Sequence, residues 1–145
     1  MGEETSVYVA FEEGGGIFHY SVPAVLLPDG SYKILPNEFF EFDGHTQLFN
    51  FGPGDIIRAR MKPVGSKKEL RLTADKLVSS GSNDNDFKRL LFSVLAEDPD
   101  PSYILAVHGQ IAVRLLLTEC ARDGWVYPEI RDWVDLHRRI LEEAL

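Results

Sequence analysis

Residues 54–78 read GDIIRARMKPVGSKKELRLTADKLV, two runs of alternating apolar and polar residues around a Gly65-Ser66 turn. Successive side chains of a β-strand point to opposite faces, so Ile57, Ala59 and Met61 share one side of the first run while Arg58, Arg60 and Lys62 share the other. In the second run Leu70, Leu72 and Ala74 oppose Glu69, Arg71, Thr73 and Asp75. The pattern is that of an antiparallel hairpin with one apolar and one basic face.

Toward the N-terminus the same texture continues. Of 9 Phe, 5 Tyr and 2 Trp, ten fall before residue 52, in short runs broken by Gly, Pro and Asp-Gly. Aromatic and β-branched residues suit a pleated, half-buried surface, and the runs predict strands over Ser6 to Glu12, Ile17 to Leu27, Tyr32 to Phe42 and Thr46 to Phe51, ahead of Asp55 to Val64 and Glu69 to Val78. Asp29-Gly30 and Asp43-Gly44 fit type I′ hairpin turns, and Gly14-Gly15-Gly16 is a permissive turn as well. Pro23 and Pro36 cannot donate to a ladder and are expected at an edge, a bulge or a strand break.

Toward the C-terminus the texture changes. Ser79 to Asp86 is polar throughout and reads as a connector, with residues 81–86 as a linker between a β part (1–80) and a helical part (87–145). Phe87, Leu90, Leu91, Val94 and Leu95 then follow the spacing of an amphipathic helix, which Asp98-Pro99-Asp100-Pro101 stops. A second helix is expected from Ser102 as N-cap to about Asp123, with Gly124 as the residue just beyond it. A buried hairpin turning at His108-Gly109-Gln110 is the rival reading of that stretch. The last helix opens on Pro128 and places Ile130, Trp133, Val134, His137, Ile140, Leu141 and Ala144 on one face. The fold class expected is α+β: an N-terminal antiparallel β-barrel or strongly bent sheet of five to six strands, followed by two to three α-helices packed against it, in a single domain over 1–145.

At 145 residues, 44% hydrophobic and 26% charged, the chain has the size and composition of one small globular domain. A formal charge of -8 opposes wholesale attraction to nucleic acid or to an anionic membrane. The N-terminus carries no basic-then-apolar leader, and the apolar run from Tyr103 to Leu117, interrupted by His108, Gln110 and Arg114, reads as a buried element. No membrane association is expected, and the one cysteine, Cys120, fits a reducing compartment, the cytoplasm.

Residues that could carry chemistry are scattered. His19, His45, His108 and His137 form no helical ligand pair and no HExxH or CxxC spacing occurs, so no metal site is expected. His45 follows a turn and is expected in solvent, and His108 interrupts an apolar element with a polar group that needs a partner if buried. Cys120 has no assignable base and reads as a small buried thiol. Gly14-Gly15-Gly16 lacks a following Lys-Ser/Thr and opens no helix, which leaves it a turn and not a phosphate cradle. No catalytic residue and no cofactor is implied.

Charge placement is the one uneven feature. Residues 1–50 carry eight acids and one Lys, whereas residues 51–80 carry Arg58, Arg60, Lys62, Lys67, Lys68, Arg71 and Lys76 against Asp55, Glu69 and Asp75. The bland reading of this hairpin is a solvated sheet face whose bases pair with acids from the first 50 residues. The functional reading is a stripe that reaches successive phosphates of one strand, with guanidiniums at i and i+2 about 7 Å apart.

Gly54 to Met61, followed after a turn by Glu69 to Leu77, resembles the closing two strands of OB-fold nucleic-acid-binding domains. The resemblance covers about 25 residues. It implies a small Greek-key barrel in place of a plain meander, with stacking aromatics on the middle strands, where Phe18, Tyr20, Phe49 and Phe51 could stand. The stretch from Pro28 to Gly44 is longer than that family's usual link, and the acidity of the chain departs from it too.

Three functions follow. The first is a non-catalytic protein that binds single-stranded nucleic acid with Arg58, Arg60, Lys62 and Arg71 and stacks bases on Phe18, Tyr20, Phe49 or Phe51. The second is a protein-interaction or self-association module in which Asp132, Asp135 and Glu142, beside Trp125 and Trp133, dock a partner or a second copy. The third is a small-ligand barrel or an enzyme with His19 or His108 inside.

Overall fold

A computed structural model describes residues 3–13, 16–41, 47–123, 125 and 127–145. The strands are β1 (Glu3–Glu13), β2 (Gly16–Leu26), β3 (Tyr32–Ile34), β4 (Gln47–Phe49), β5 (Ile56–Val64) and β6 (Glu69–Ser79), with a short α1 (Glu38–Glu41) between β3 and β4. Three helices follow: α2 (Asn83–Glu97), α3 (Pro101–Cys120) and α4 (Pro128–Glu143). The fold is α+β, a closed barrel followed by helices.

Each barrel strand pairs with its neighbour in sequence: β1 with β2, β2 with β3, β3 with β5 and β5 with β6, all antiparallel. The ring closes where β6 meets β1 at Thr73 and Tyr8, and this pair is parallel. An odd number of strands requires it, because in a five-strand up-and-down path the first and last run the same way. The barrel is therefore mixed where an antiparallel one was expected, and its strand order is that of a meander, not the Greek-key order of the OB resemblance. β4 adds to the far end of β1, Phe49 opposite Phe11.

Several expected boundaries shift for local reasons. The strand read over Tyr32 to Phe42 stops at Ile34, since Pro36 has no N–H to donate and Asn37 opens the turn that becomes α1, accepting from the Phe40 N–H at 3.0 Å. Pro23 sits inside β2, but its carbonyl accepts from Leu35 just where pairing with β3 ends, so its missing N–H interrupts no ladder. At Asp29-Gly30 the loop has three residues, 28–30, closed by the Leu27 N–H on the Ser31 carbonyl at 2.8 Å; Pro28 sets the φ of a type I turn, and the expected two-residue type I′ turn does not form. The 81–86 linker shrinks to its first two residues. Ser82 caps α2, its hydroxyl accepting from the Asn85 N–H at 3.1 Å, and residues 83–86 form the helix's first turn. Likewise Asp100, not Ser102, caps α3, accepting from the Ser102 N–H at 2.8 Å with Pro101 in the first turn. The expected turns at Gly14-Gly15 and Asp43-Gly44, the position of His45 and the Gly124 cap lie outside the described residues.

Two apolar clusters result. The barrel interior holds Val7, Val9, Val22, Ala24, Ile34, Phe51, Ile57 and Ala74. The helices share a second cluster around Leu90, Leu91, Ile104, Val113, Leu116, Ile130, Trp133, Val134 and Leu141, into which β4 sends Leu48. Between them lies a buried polar joint. The Asp55 carboxylate accepts from the Gly52 N–H at 2.8 Å, the Gly81 N–H at 2.7 Å, Asn85 Nδ2 at 3.0 Å and Arg89 Nη1 at 2.9 Å. The chain crosses itself here so closely that a Cβ on Gly81 would stand 2.5 Å from the Gly54 carbonyl carbon.

Candidate functional site

The basic face forms on the outside of β5 and β6. Arg58 pairs with Lys76 and Lys62 with Arg71 across the ladder, which sets like charges opposite one another. Carboxylates offset them. Asp29 lies 3.6 Å from Arg58; a bond from the Ser31 hydroxyl, a second from the Ser31 N–H and then the Arg58 charge hold its carboxyl below the usual range. Asp75 takes no partner across the ladder, where a bulge interrupts the register, and it receives both Lys62 and Arg60, the latter at 3.4 Å. The Lys62 hydrogen bond, then the charges of Lys62 and Arg60, lower its pKa. Arg71 is held by Glu69. The first 50 residues thus supply one of these acids, Asp29, and the hairpin supplies the others itself.

The four aromatics divide. Phe49 and Phe51 are buried, 6% and 7% exposed, the first against Phe40 at 4.9 Å between ring centroids and under Lys88, the second in the barrel core, so neither can stack a base. Phe18 and Tyr20 are about half exposed. In the β1–β2 register they oppose Phe11 and Val9, on the side of the sheet that turns to the barrel core. Arg60 opposes Thr73, which neighbours Tyr8 on the other side. Aromatics and bases therefore lie on opposite faces. Phe18 and Tyr20 pack instead on Phe11, with ring centroids 5.7 and 6.4 Å away. His19, between them in sequence, has its pKa lowered by burial and by Lys62.

The tryptophans are not an exposed surface either. Trp133 is core, its indole N–H donating to the Pro99 carbonyl at 3.0 Å, and Trp125 is half-buried, donating to the Tyr127 carbonyl at 2.8 Å. Asp135 and Glu142 both engage Arg138 along α4, and Asp132 is exposed.

Helix α3 holds what the sequence reading missed. Ile104, Ala112, Val113, Leu116 and Cys120 are buried, as the core reading requires, and burial pushes the Cys120 thiol up to about 11. Tyr103, Val107, Ile111 and Leu115 face solvent, Ile111 at 76% exposure. These four, two on each side of Gly109, are the largest departure from the expected buried element. By length and composition α3 could also cross a bilayer, but its opposite face belongs to the helical core.

The stretch is helical, as the first reading has it, and no hairpin forms at His108-Gly109-Gln110. Gly109 (φ 84°, ψ 167°) breaks α3 into two helical segments, in a conformation open essentially to glycine alone. Beside the break, a cleft of about 200 Å³ opens between α3 and the first turn of α2, lined by Asn83 and Asp86 on one side and His108, Ile111, Ala112 and Leu115 on the other. Among the described residues, His108 Nε2 is the one buried side-chain nitrogen or oxygen without a hydrogen-bond partner. Burial, with the nearby Arg89 charge, lowers its pKa to about 4, so the imidazole is neutral at neutral pH.

No family model, curated protein or solved structure matches the chain.

Proposed function

We propose that this protein is a non-catalytic self-association module that pairs with a second copy of its own chain through the exposed apolar stripe of α3. The observation that carries the reading is the solvent-facing set Tyr103, Val107, Ile111 and Leu115. Four large exposed apolar side chains on one element, in a protein of net charge -8, are the kind of surface that partner contacts cover. The stripe itself is uncharged, so it has nothing with which to select a partner of opposite charge. Two of the four stand on each side of Gly109, so each helical segment offers one exposed pair, Tyr103 with Val107 and Ile111 with Leu115, for a two-fold partner to cover. Repulsion between two acidic chains is screened over about 8 Å at physiological ionic strength.

Sedimentation equilibrium over a wide concentration range tests this. The expected result is a reversible dimer that persists at high salt and becomes monomeric, with unchanged circular dichroism, when Val107→Asp and Ile111→Asp are combined. A monomer at every concentration would overturn the proposal.

A second reading, single-stranded nucleic-acid binding by a barrel face, is favoured by the like-charged pairs Arg58–Lys76 and Lys62–Arg71 on one side of the sheet, whose exposed carboxylate partners a phosphate chain would replace. Four phosphate contacts would give a log-log salt slope of about -3, at roughly -0.7 per contact. Alanine at Arg58, Arg60, Lys62 and Arg71 should then abolish binding. Absence of binding to oligonucleotides at ~50 mM salt, where screening is weak, would dispose of this reading.

A further inference from the structure

A protonated imidazole carries a hydrogen on both ring nitrogens. At His108 the hydrogen on Nε2 would point into a buried site that holds no partner for it, and a buried charge without a partner is far costlier than a buried neutral nitrogen. The surroundings do not supply a counter-charge. On α2, Asp86 favours the cation, but Arg89 disfavours it more, and Arg89 is fixed in place by Asp55 at 2.9 Å, the Asn50 carbonyl at 3.0 Å and Asp86 at 3.2 Å. Helix α4 reaches this end of α3 with an uncharged group, the Ala144 carbonyl, 3.3 Å from Gln110 Nε2. Within α3, the charged residue nearest in sequence is Arg114, which is exposed and lies beyond Gly109.

His108 stands on the weakly held half of α3. Between Pro101 and His108 only Pro101 and Ile104 are buried, whereas Ala112, Val113, Leu116 and Cys120 anchor the other half. Gly109 separates the two with a non-helical backbone, a Cβ there would meet nothing within 4 Å, and the cleft of about 200 Å³ leaves the α2 side of the break unfilled. We infer that His108 is an acid-sensitive latch: on taking up a proton it releases Pro101–His108 from α2 about Gly109, bringing Nε2 to water, while the half of α3 beyond Gly109 stays in the helical core. The imidazole titrates near 6.5 when free in solvent and at about 4 in the closed form, so the open form binds the proton better. Closure is therefore at full strength above pH ~6.5 and weakens, by roughly tenfold per pH unit, as pH falls toward 4. Tyr103 and Val107 ride on the released segment, so half of the exposed stripe moves with it. The latch stands whether or not a second copy covers that stripe.

Amide hydrogen exchange followed by NMR from pH ~7 to ~4.5, with each rate taken relative to that of an unstructured chain at the same pH, tests it. A helical segment this short does not hold in water once its support is gone, so the amides of Leu105 to His108 should lose protection by about tenfold per pH unit below pH ~6, while those of residues 112–120 keep theirs. The Trp133 indole N–H, which donates to the Pro99 carbonyl just ahead of α3 at 3.0 Å, should lose protection in step with Leu105 to His108. In His108→Phe, which keeps a ring but takes no charge, the pH dependence of these amides should flatten. Protection that does not change with pH, equal loss on both sides of Gly109, or a slope that survives His108→Phe would overturn the latch. The wild-type protein decides the matter even if His108→Phe folds poorly, because the ring signals of His108 should hold their neutral positions down to pH ~5, and a titration at the ordinary 6.5 would overturn the latch as well.

Discussion

The Asp55 carboxylate is wholly buried, and its four donors come from the turn before β5, the connection to α2 and α2 itself. Arg89, also buried, gives one guanidinium nitrogen to Asp55 and to the Asn50 carbonyl at 3.0 Å and the other to Asp86 at 3.2 Å. Removing one member of such a pair strands the other's charge and commonly costs about 3–5 kcal/mol. Asp55→Ala should therefore lower the unfolding free energy by an amount in that range, toward its lower end because Asp86 still holds Arg89, seen as a lower urea midpoint with little change in slope. A loss below about 1 kcal/mol would mean that the joint contributes little. The sequence gives no warning of it. Asp55 reads as a polar residue opening a strand, and Arg89 falls off the apolar stripe of its helix, Phe87, Leu90, Leu91 and Val94, so periodicity assigns both to solvent.

Helix α3 shows the converse limit. The stretch is apolar on most sides, so its pattern marks which residues could be buried without saying which face meets the helical core. Leu116, Val113 and Ile104 meet it, and Ile111 and Val107 do not. Leu116→Ala should cost about 2–5 kcal/mol, because a cavity adds to the lost transfer energy, whereas Ile111→Ala should change the unfolding of the isolated monomer by less than about 0.5 kcal/mol, as surface changes usually do. Chemical denaturation at concentrations below dimerisation measures both. Equal losses would place Ile111 in the core and remove the exposed stripe. The His108-Gly109-Gln110 interruption was legible as a break in an apolar run, but its form was not. Two helical segments meeting at a glycine with φ 84° satisfy the same residues as a turn would.

Over the whole molecule, the strand-then-helix order, the hairpins and the basic face were readable, because each rests on local alternation or turn chemistry. Closure was less so, since the single register contact Tyr8–Thr73 joins residues 65 positions apart with no sequence signal. The same long-range economy ties the two cores together. Leu48 leaves the sheet for the helical cluster, Arg89 and Asn85 leave α2 for Asp55, and Ala10 packs from β1 against the helices. A chain ended after residue 80 would lose the Asp55 donors on Gly81, Asn85 and Arg89 and expose Leu48 and Phe49. A domain that small has little other surface to bury in compensation. Residues 1–80 expressed alone should therefore show either no cooperative unfolding transition or one at a far lower midpoint than the full chain. A transition matching that of the full chain would show that the barrel stands without its helices and that the Asp55 joint is a contact between independent units.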